Sequence, residues 1–346
     1  MISVDAMGGD HGPGVLVPGV ARAAERLAAG VGFLLHGDEA RLAPELARYP
    51  ALKPRVEIRH TATMVAMDEK PAQALRRSKG TSMWNALEAV KTGEAQAAIT
   101  AGNTGALMAL SKLILRMSVD IERPPLVASW PRDKGVTTVL DVGANVDCDA
   151  ERLVEFAILG EAFHRAAHGV ARPTVGILNV GSEDMKGHEE VREAHRILRE
   201  GRFDLDYRGF IEGDDLTKGT VDVVVTDGFT GNITLKAAEG VARFITAELR
   251  AALTSTLPAQ LGAVLARGAL RAFQNKLNPP RAAPLLGLNG VVVKAHGGAS
   301  ERDVADAIGM AADLAQSDFA AEIERNMRKL TAAVGESSPA DGAAKT

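Results

Sequence analysis

Residues 97–117 read AAITAGNTGALMALSKLILRM. Ala97 to Thr100 is a short apolar run, Ala101 to Ala106 is a glycine turn, and Leu107, Leu110, Ile114 and Met117 then recur on one helical face. Strand, glycine turn and helix follow one another directly. The same succession extends outward in both directions. Short apolar runs lie at Ile2 to Ala6, Val31 to His36, Arg55 to His60, Leu126 to Trp130, Val136 to Val142, Thr174 to Val180, Val221 to Thr226 and Gly290 to Lys294. They are apolar throughout rather than alternating, the pattern of strands covered on both faces. Helical spacing fills the intervals, as at Met83, Leu87 and Val90, at Leu153, Phe156, Leu159 and Phe163, and at Val241, Ile245, Leu249 and Leu253. This alternation predicts an α/β fold with a doubly wound, mostly parallel sheet and right-handed crossovers. Ligands in such a sheet bind at the carboxyl ends of the strands.

The 346 residues are 46 % hydrophobic and 24 % charged, ordinary values for a globular chain. The length suits one α/β catalytic unit over residues 1–331, with a loose lobe boundary near residue 150. Forty basic and 44 acidic residues leave a net charge of -4, too balanced for a surface that grips nucleic acid. The single cysteine, Cys148, excludes an internal disulfide and a cysteine metal cage, which points to a reducing compartment. Asp5 and Asp10 interrupt the start, so no secretory signal is read, and no stretch reaches the roughly 18 apolar residues of a spanning helix. The expectation is a cytoplasmic protein. From Asn232 to about Phe273 the helical pattern runs on, with Val241, Ile245, Leu249, Leu253, Leu257 and Leu261 spaced by four. Residues 232–288 are therefore expected to form a long helical hairpin that meets a partner helix from a second copy. Residues 332–346 are small and polar and are expected to be disordered.

Six of the turns after apolar runs carry glycine together with polar residues. DAMGGD at Asp5 runs into His11, Gly12 and Pro13, with Pro13 suited to the first position of a helix. Its glycines either bring N–H groups to an anion or only permit a tight turn. In AGNTGA, Asn103 or Thr104 can cap the next helix and leave free N–H groups where a phosphate or thioester oxygen would fit. DVGAN begins at Asp141, and NVGSEDMKG at Asn179 sets Ser182, Glu183 and Lys186 in a loop before a helix near His188. Lys186 is either a partner for a phosphate oxygen or developing oxyanion, or a solvated lysine. DGFTGN at Asp227 and KAHGG at Lys294 repeat the arrangement. The six turns are expected to converge on one crevice rich in amides and cations, as an anionic reactant requires.

Other chemistries lack their motifs. There is no GxSxG elbow, no GxxxxGK[ST], no HExxH and no CxxC. Cys148 lies between Asp147 and Asp149, neighbours that raise a thiol's pKa. No metal and no cofactor are expected.

In this order and spacing, DAMGGD, AGNTGA, DVGANVD, NVGSEDMKG, DGFTGN and KAHG closely resemble the PlsX family of phosphate acyltransferases, from Met1 to about Leu330. The resemblance implies an architecture like that of phosphotransacetylases and isopropylmalate-type dehydrogenases. It also implies a bacterial phospholipid-synthesis enzyme that moves a fatty acyl group from acyl-carrier protein to inorganic phosphate, giving acyl phosphate. Family members are dimeric and peripheral to the membrane, where a membrane acyltransferase would use the product.

Because phosphate itself attacks the thioester, no enzyme nucleophile is needed. Phosphate is expected among Gly102, Asn103, Thr104, Gly105, Thr230, Gly231 and Asn232, with Lys186 or Lys294 offsetting the growing charge and His11 or His296 protonating the leaving sulfur. Arg76, Arg77 and Lys79, with Ser182 and Glu183, are the residues expected to meet the carrier protein or substrate. Between Leu249 and Ser300, six positive residues, Arg250, Arg267, Arg271, Lys276, Arg281 and Lys294, occur without an Asp or Glu. They accompany Leu261, Leu265, Leu270, Phe273, Leu277 and the run Pro284 to Leu288. Such a basic amphipathic stretch reads as a membrane surface or a carrier-protein dock, or else as dimer-seam packing. Two rivals stand beside this reading, a phosphotransacetylase-like short-chain acyltransferase and a non-catalytic carrier-protein scaffold.

Overall fold

The computed structural model describes residues 1–117, 123–132, 135–201, 203–277, 282–317 and 323. The first half of the chain gives β1 (Ile2–Asp5), α1 (Pro13–Ala24), β2 (Phe33–Gly37), α2 (Glu39–Ala47), β3 (Val56–His60), α3 (Pro71–Arg77), α4 (Ser82–Lys91), β4 (Ala97–Thr100), α5 (Thr104–Leu115), β5 (Val127–Pro131), β6 (Val136–Leu140) and α6 (Ala150–His168). The second gives β7 (Thr174–Leu178), α7 (Glu189–Glu200), β8 (Asp206–Ile211), α8 (Asp215–Lys218), β9 (Val223–Val225), α9 (Gly228–Thr254), α10 (Leu257–Leu265), α11 (Arg267–Leu277), β10 (Ala282–Leu285), β11 (Val291–Ala295) and α12 (Glu301–Gln316). The α/β architecture is the one the apolar runs predict. Two strands escape that pattern. β8, DYRGFI, is half-exposed and irregular in its pairing with β7, and β10, AAPL, contains a proline and little β propensity.

One sheet runs β10-β11-β4-β1-β2-β3, parallel except for β10. A second runs β5-β6-β9-β7-β8, parallel except for β5. An antiparallel bridge from Leu126, just before β5, to Leu285 of β10 joins them at their inner edges. The chain direction thus reverses at β11/β10, at the bridge and at β5/β6. The parallel strands of one sheet therefore oppose those of the other. The six glycine turns consequently form two groups, one after β1, β4 and β11, the other after β6, β9 and β7. The expected single crevice for all six is not what the strand order gives. Nor does a lobe boundary near residue 150 follow the sheets, since β5 and β6 precede it and belong to the second sheet.

Side chains of the first sheet alternate between two apolar layers. Val4, Phe33, Leu35, Ile99 and Val293 enter a core shared with α1, α6 and α12, whereas Leu34, Ala98 and Val292 pack on Met83, Leu87, Leu107 and Leu110 of α4 and α5. Burial of each large apolar side chain is worth about 1.5 to 3 kcal/mol.

The helical arm departs from its expected bounds. α9 starts at Gly228 and stops at Thr254, so Leu257 and Leu261 lie on α10 and not on the same seam. Residues 282–285, expected in the hairpin, form β10. Of the 27 residues of α9, only Gly228 and Gly231 are buried. Val241, Phe244, Ile245, Leu257, Leu261, Val264 and Leu265 are exposed, Leu265 to 89 %. No helix among the described residues is long and apolar enough to cross a membrane. Residues 332–346 and Arg281 lie outside the described residues, as do the side chains of Lys276 and Leu277.

Candidate active site

The pairing register aligns four polar residues across the carboxyl ends of neighbouring strands. His36 of β2 is level with Asp5 of β1, Asp5 with Thr100 of β4, and Thr100 with Lys294 of β11. Residues level in a parallel sheet share a face, and two residues earlier the same face carries Leu34, Ala98 and Val292 against α4 and α5. The polar row therefore caps that apolar layer. All four residues are buried.

Thr100 links the row to the turn behind it. Its hydroxyl donates to Asp5 Oδ2 at 2.6 Å and accepts from the Gly102 N–H at 2.9 Å. Ser82, at the start of α4, approaches the same carboxyl. Burial pushes the Asp5 carboxyl above the usual carboxylate range, against the hydrogen bonds and the Lys294 charge that favour ionisation. A side chain at Gly8 would come within 2.7 Å of both Asp5 Oδ2 and the Gly102 nitrogen, so glycine is what lets the first turn press on the second. The Asp10 N–H in turn donates to the Gly297 carbonyl at 2.9 Å. The turns after β1, β4 and β11 thus interlock.

Asn103 caps α5 by accepting from the Ala106 N–H at 3.0 Å. Its amide nitrogen faces the carbonyls of Ala66, Met67 and Glu69, at 3.3, 2.9 and 2.8 Å. Both ends of this side chain are thus engaged, and the Gly102 N–H points to Thr100; neither is free for phosphate as the sequence suggested. What remains at the helix start is the N–H groups of Thr104 and Gly105, which no carbonyl of the helix can reach, together with the exposed Thr104 side chain.

Lys294 is 6 % exposed. Its ammonium donates to the carbonyls of Ala101, at 3.2 Å, and Ala295, leaving one of three donors. Burial lowers its pKa to about 8, while the charges of Asp5 and Asp10 hold it up. Being buried here, Lys294 is not part of the basic surface in which the sequence placed it. His296 is exposed, and its Nδ1 accepts from the Gly298 N–H at 3.1 Å. In the neutral ring Nε2 then carries the hydrogen, which suits it to donate to a carbonyl oxygen; an imidazolium poised to protonate sulfur would forfeit the Gly298 bond. His11 is exposed in the turn before α1.

The second group of turns is built differently. Asp141 is fully buried and accepts from the N–H groups of Leu126, Gly143, Ala144 and Asn145 and from the Asn145 side chain, at 2.6 to 3.1 Å. A Cβ on Gly231 would lie 1.9 Å from the Asp141 carbonyl oxygen, so Gly231 provides close packing. Thr230 spends both its N–H and its hydroxyl on the Asp227 carboxylate, at 2.8 and 2.7 Å. The start of α9 is thus occupied by its own anion, unlike the start of α5. Asn232 rests against Gly143. Lys186 pairs with Glu183 at 2.8 Å on an exposed loop that also carries Ser182, and this pairing raises its pKa. Cys148 is pushed up to about 12, first by burial and then by Asp141, which suits no nucleophile.

Arg76, Arg77 and Lys79 are exposed at the end of α3. α3 begins against α5, where Pro71 Cγ lies 2.8 Å from the position a Gly105 Cβ would take. Of the residues expected at a membrane, Leu261, Leu265, Arg267, Arg271 and Phe273 are exposed and Leu270 is half-buried. Sequence reading takes Asp5 only as the head of a glycine turn and assigns nothing to Thr100 and His36, because their alignment appears only in the strand register.

Residues 1–322 match the model of the family described as fatty acid synthesis protein. The chain is 70 % identical over 346 residues to the phosphate acyltransferase of Phenylobacterium zucineum, covering 99 % of both chains. Its fold is similar to a phosphotransacetylase from Streptococcus pyogenes (TM-score 0.62, 18 % identity, 91 % of this chain and 93 % of that one). It is also similar to a 4-hydroxythreonine-4-phosphate dehydrogenase from Burkholderia phymatum (TM-score 0.51, 16 % identity, 90 % and 97 %). The motifs, the phosphotransacetylase-like architecture and the full-length likeness agree: the chain belongs to the fatty acid synthesis protein (PlsX) family of phosphate acyltransferase enzymes.

Proposed function

We propose that the protein transfers a fatty acyl group from an acyl-carrier-protein thioester to inorganic phosphate, and that bound phosphate attacks the thioester carbon directly. The carbon–sulfur bond breaks, the carrier thiolate leaves and acyl phosphate forms. One observation carries this reading: the uncharged cap of α5 leaves the Thr104 and Gly105 N–H groups available on the turn whose Ala101 carbonyl accepts from the buried Lys294 ammonium. An anion there gains the helix dipole and a cation together. Lys294 offsets the charge of phosphate and of the tetrahedral intermediate, and His296 Nε2 donates to the thioester oxygen. No side chain is acylated.

The donor side uses other elements. Arg76, Arg77 and Lys79 attract the acidic carrier, and the turn of Ser182, Glu183 and Lys186 contacts the acyl thioester. Along the arm, Val241, Phe244 and Ile245 of α9 pair with a second copy. Leu257, Leu261, Val264 and Leu265 of α10, with Arg267 and Arg271, meet an anionic membrane surface, where the product enters phospholipid synthesis. The exposure of these apolar side chains supports both contacts.

The test follows phosphate-dependent loss of thioester with long-chain acyl-carrier protein and acetyl donors in parallel. Turnover of the long-chain donor, with no acylated residue after acid quenching, is expected. A trapped acyl-enzyme, preference for acetyl, or loss of thioester that ignores phosphate would each reject the reading.

A further inference from the structure

Residues 61–70, which join β3 to α3, form neither helix nor strand, yet other elements fix their backbone as a strap. The Thr61 hydroxyl donates to the Gly80 carbonyl at 2.6 Å, and the Ser82 N–H donates to the Thr63 carbonyl at 3.0 Å. The Asn103 amide donates to the carbonyls of Ala66, Met67 and Glu69. Val65 is buried in the apolar layer of α4 and α5. Met67 is not part of that layer. It is 40 % exposed and joins none of the apolar cores among the described residues. Its side chain crosses to the β11 turn instead, where Cε lies 2.9 Å from the position a Gly297 Cβ would take. The thioether thus begins at a backbone held by Asn103, the cap of α5, and ends on the glycine that follows His296.

A single exposed apolar side chain is ordinary on a protein surface. This one lies between two anchors of the proposed chemistry. Phosphate at the Thr104 and Gly105 amides has to approach the thioester carbon to about 3 Å, while His296 Nε2 meets the thioester oxygen. The acyl chain that leaves this carbon then runs beside an unbranched, polarizable thioether, a side chain that adapts to the shape of an apolar ligand. The exposed neighbours of Met67 in the strap, Asp68 and Lys70, are charged and offer a hydrocarbon nothing comparable.

We propose that Met67 is a specificity-determining residue for the acyl group: it packs on the first methylenes of a long chain and so favours long-chain donors over acetyl. The inference rests on the reading that the α5 amides hold phosphate and that His296 meets the thioester.

The experiment measures acyl phosphate formation by full-length Met67→Gln, Met67→Leu, Met67→Ala and Lys294→Met. The donors are a long-chain and an acetyl thioester of the same carrier protein, so that any change in carrier docking affects both alike. In Met67→Gln, kcat/KM for the long-chain donor is expected to fall roughly 10- to 100-fold, and that for acetyl, which offers only one methyl, far less. Met67→Leu, still apolar and of similar volume, retains the preference. The phosphate KM stays normal in both. An unchanged preference in Met67→Gln, an equal loss for the two donors, or a raised phosphate KM with the preference intact overturns the assignment. Should Met67→Gln fail to fold by circular dichroism, Met67→Ala replaces it, and an unchanged preference there overturns the assignment equally. Normal phosphate kinetics in Lys294→Met would reject the phosphate site beneath the inference. Their loss in Lys294→Met, with the chain preference unmoved in Met67→Gln, would reject only the part given to Met67.

Discussion

Replacing Asn103 by Asp and by Ser separates support of the turn from binding of phosphate. Both replacements still cap α5, since Asp, Asn and Ser are near-equal caps. Both lose the amide nitrogen that reaches the carbonyls of residues 66–69, two of them at 2.9 and 2.8 Å. At about 1 kcal/mol net for each good hydrogen bond, each variant is expected to be less stable by about 2 kcal/mol. In Asp the second carboxylate oxygen would also face those carbonyls, a repulsion that outweighs the roughly 0.3 to 1 kcal/mol gained from the helix dipole. Thermal unfolding should therefore fall by a few degrees for Ser and further for Asp. Phosphate kinetics should diverge. A carboxylate about 5 Å from phosphate at the Thr104 and Gly105 amides costs about 3 kcal/mol at an effective dielectric of about 20, or roughly a hundredfold in phosphate KM. Ser adds no charge, so its phosphate KM should stay within a few-fold of normal. Equal phosphate KM in both variants, with the expected loss of thermal stability, would refute anion binding at the start of α5.

Further outcomes follow from the same geometry. Leu265→Glu should leave the unfolding free energy within about 0.5 kcal/mol of normal, because the side chain is 89 % exposed, yet reduce co-sedimentation with anionic vesicles. Lys186→Ala removes only a solvent-exposed ion pair with Glu183; steady-state kinetics should show a higher KM for the acyl-carrier donor and an unchanged one for phosphate. Gly231→Ala would place a methyl 1.9 Å from the Asp141 carbonyl oxygen, so chemical denaturation should reveal a loss of more than about 2 kcal/mol.

Much of the architecture was legible because buried parallel strands write themselves as continuous apolar runs. The strands at 97–100 and 174–178 show this, as does Pro13 at the start of α1. The reversal of direction between the sheets was not legible, because β10 carries almost no sequence signal and the bridge at Leu126 and Leu285 joins residues far apart in the chain. At the site, the Asn103 cap and Lys294 were within reach of sequence reading. Thr230 was misjudged because DGFTGN resembles AGNTGA until one sees that its leading Asp227 takes the hydrogen bonds offered to an anion. The apolar spacing by four through Leu257 and Leu261 likewise concealed the break at Ser255, since periodicity is silent about a turn that keeps its phase.

α9 extends for roughly 40 Å at 1.5 Å per residue, yet its fully buried residues are Gly228 and Gly231, and its packing on the core reaches only to Leu235 and Ala238. Mechanically this is a lever with its fulcrum inside the protein and its long limb outside. A tilt of about 5° at the fulcrum sweeps the far end through roughly 3.5 Å over that length. Read in reverse, whatever grips the distal half applies its torque at the place where Gly231 touches the Asp141 backbone.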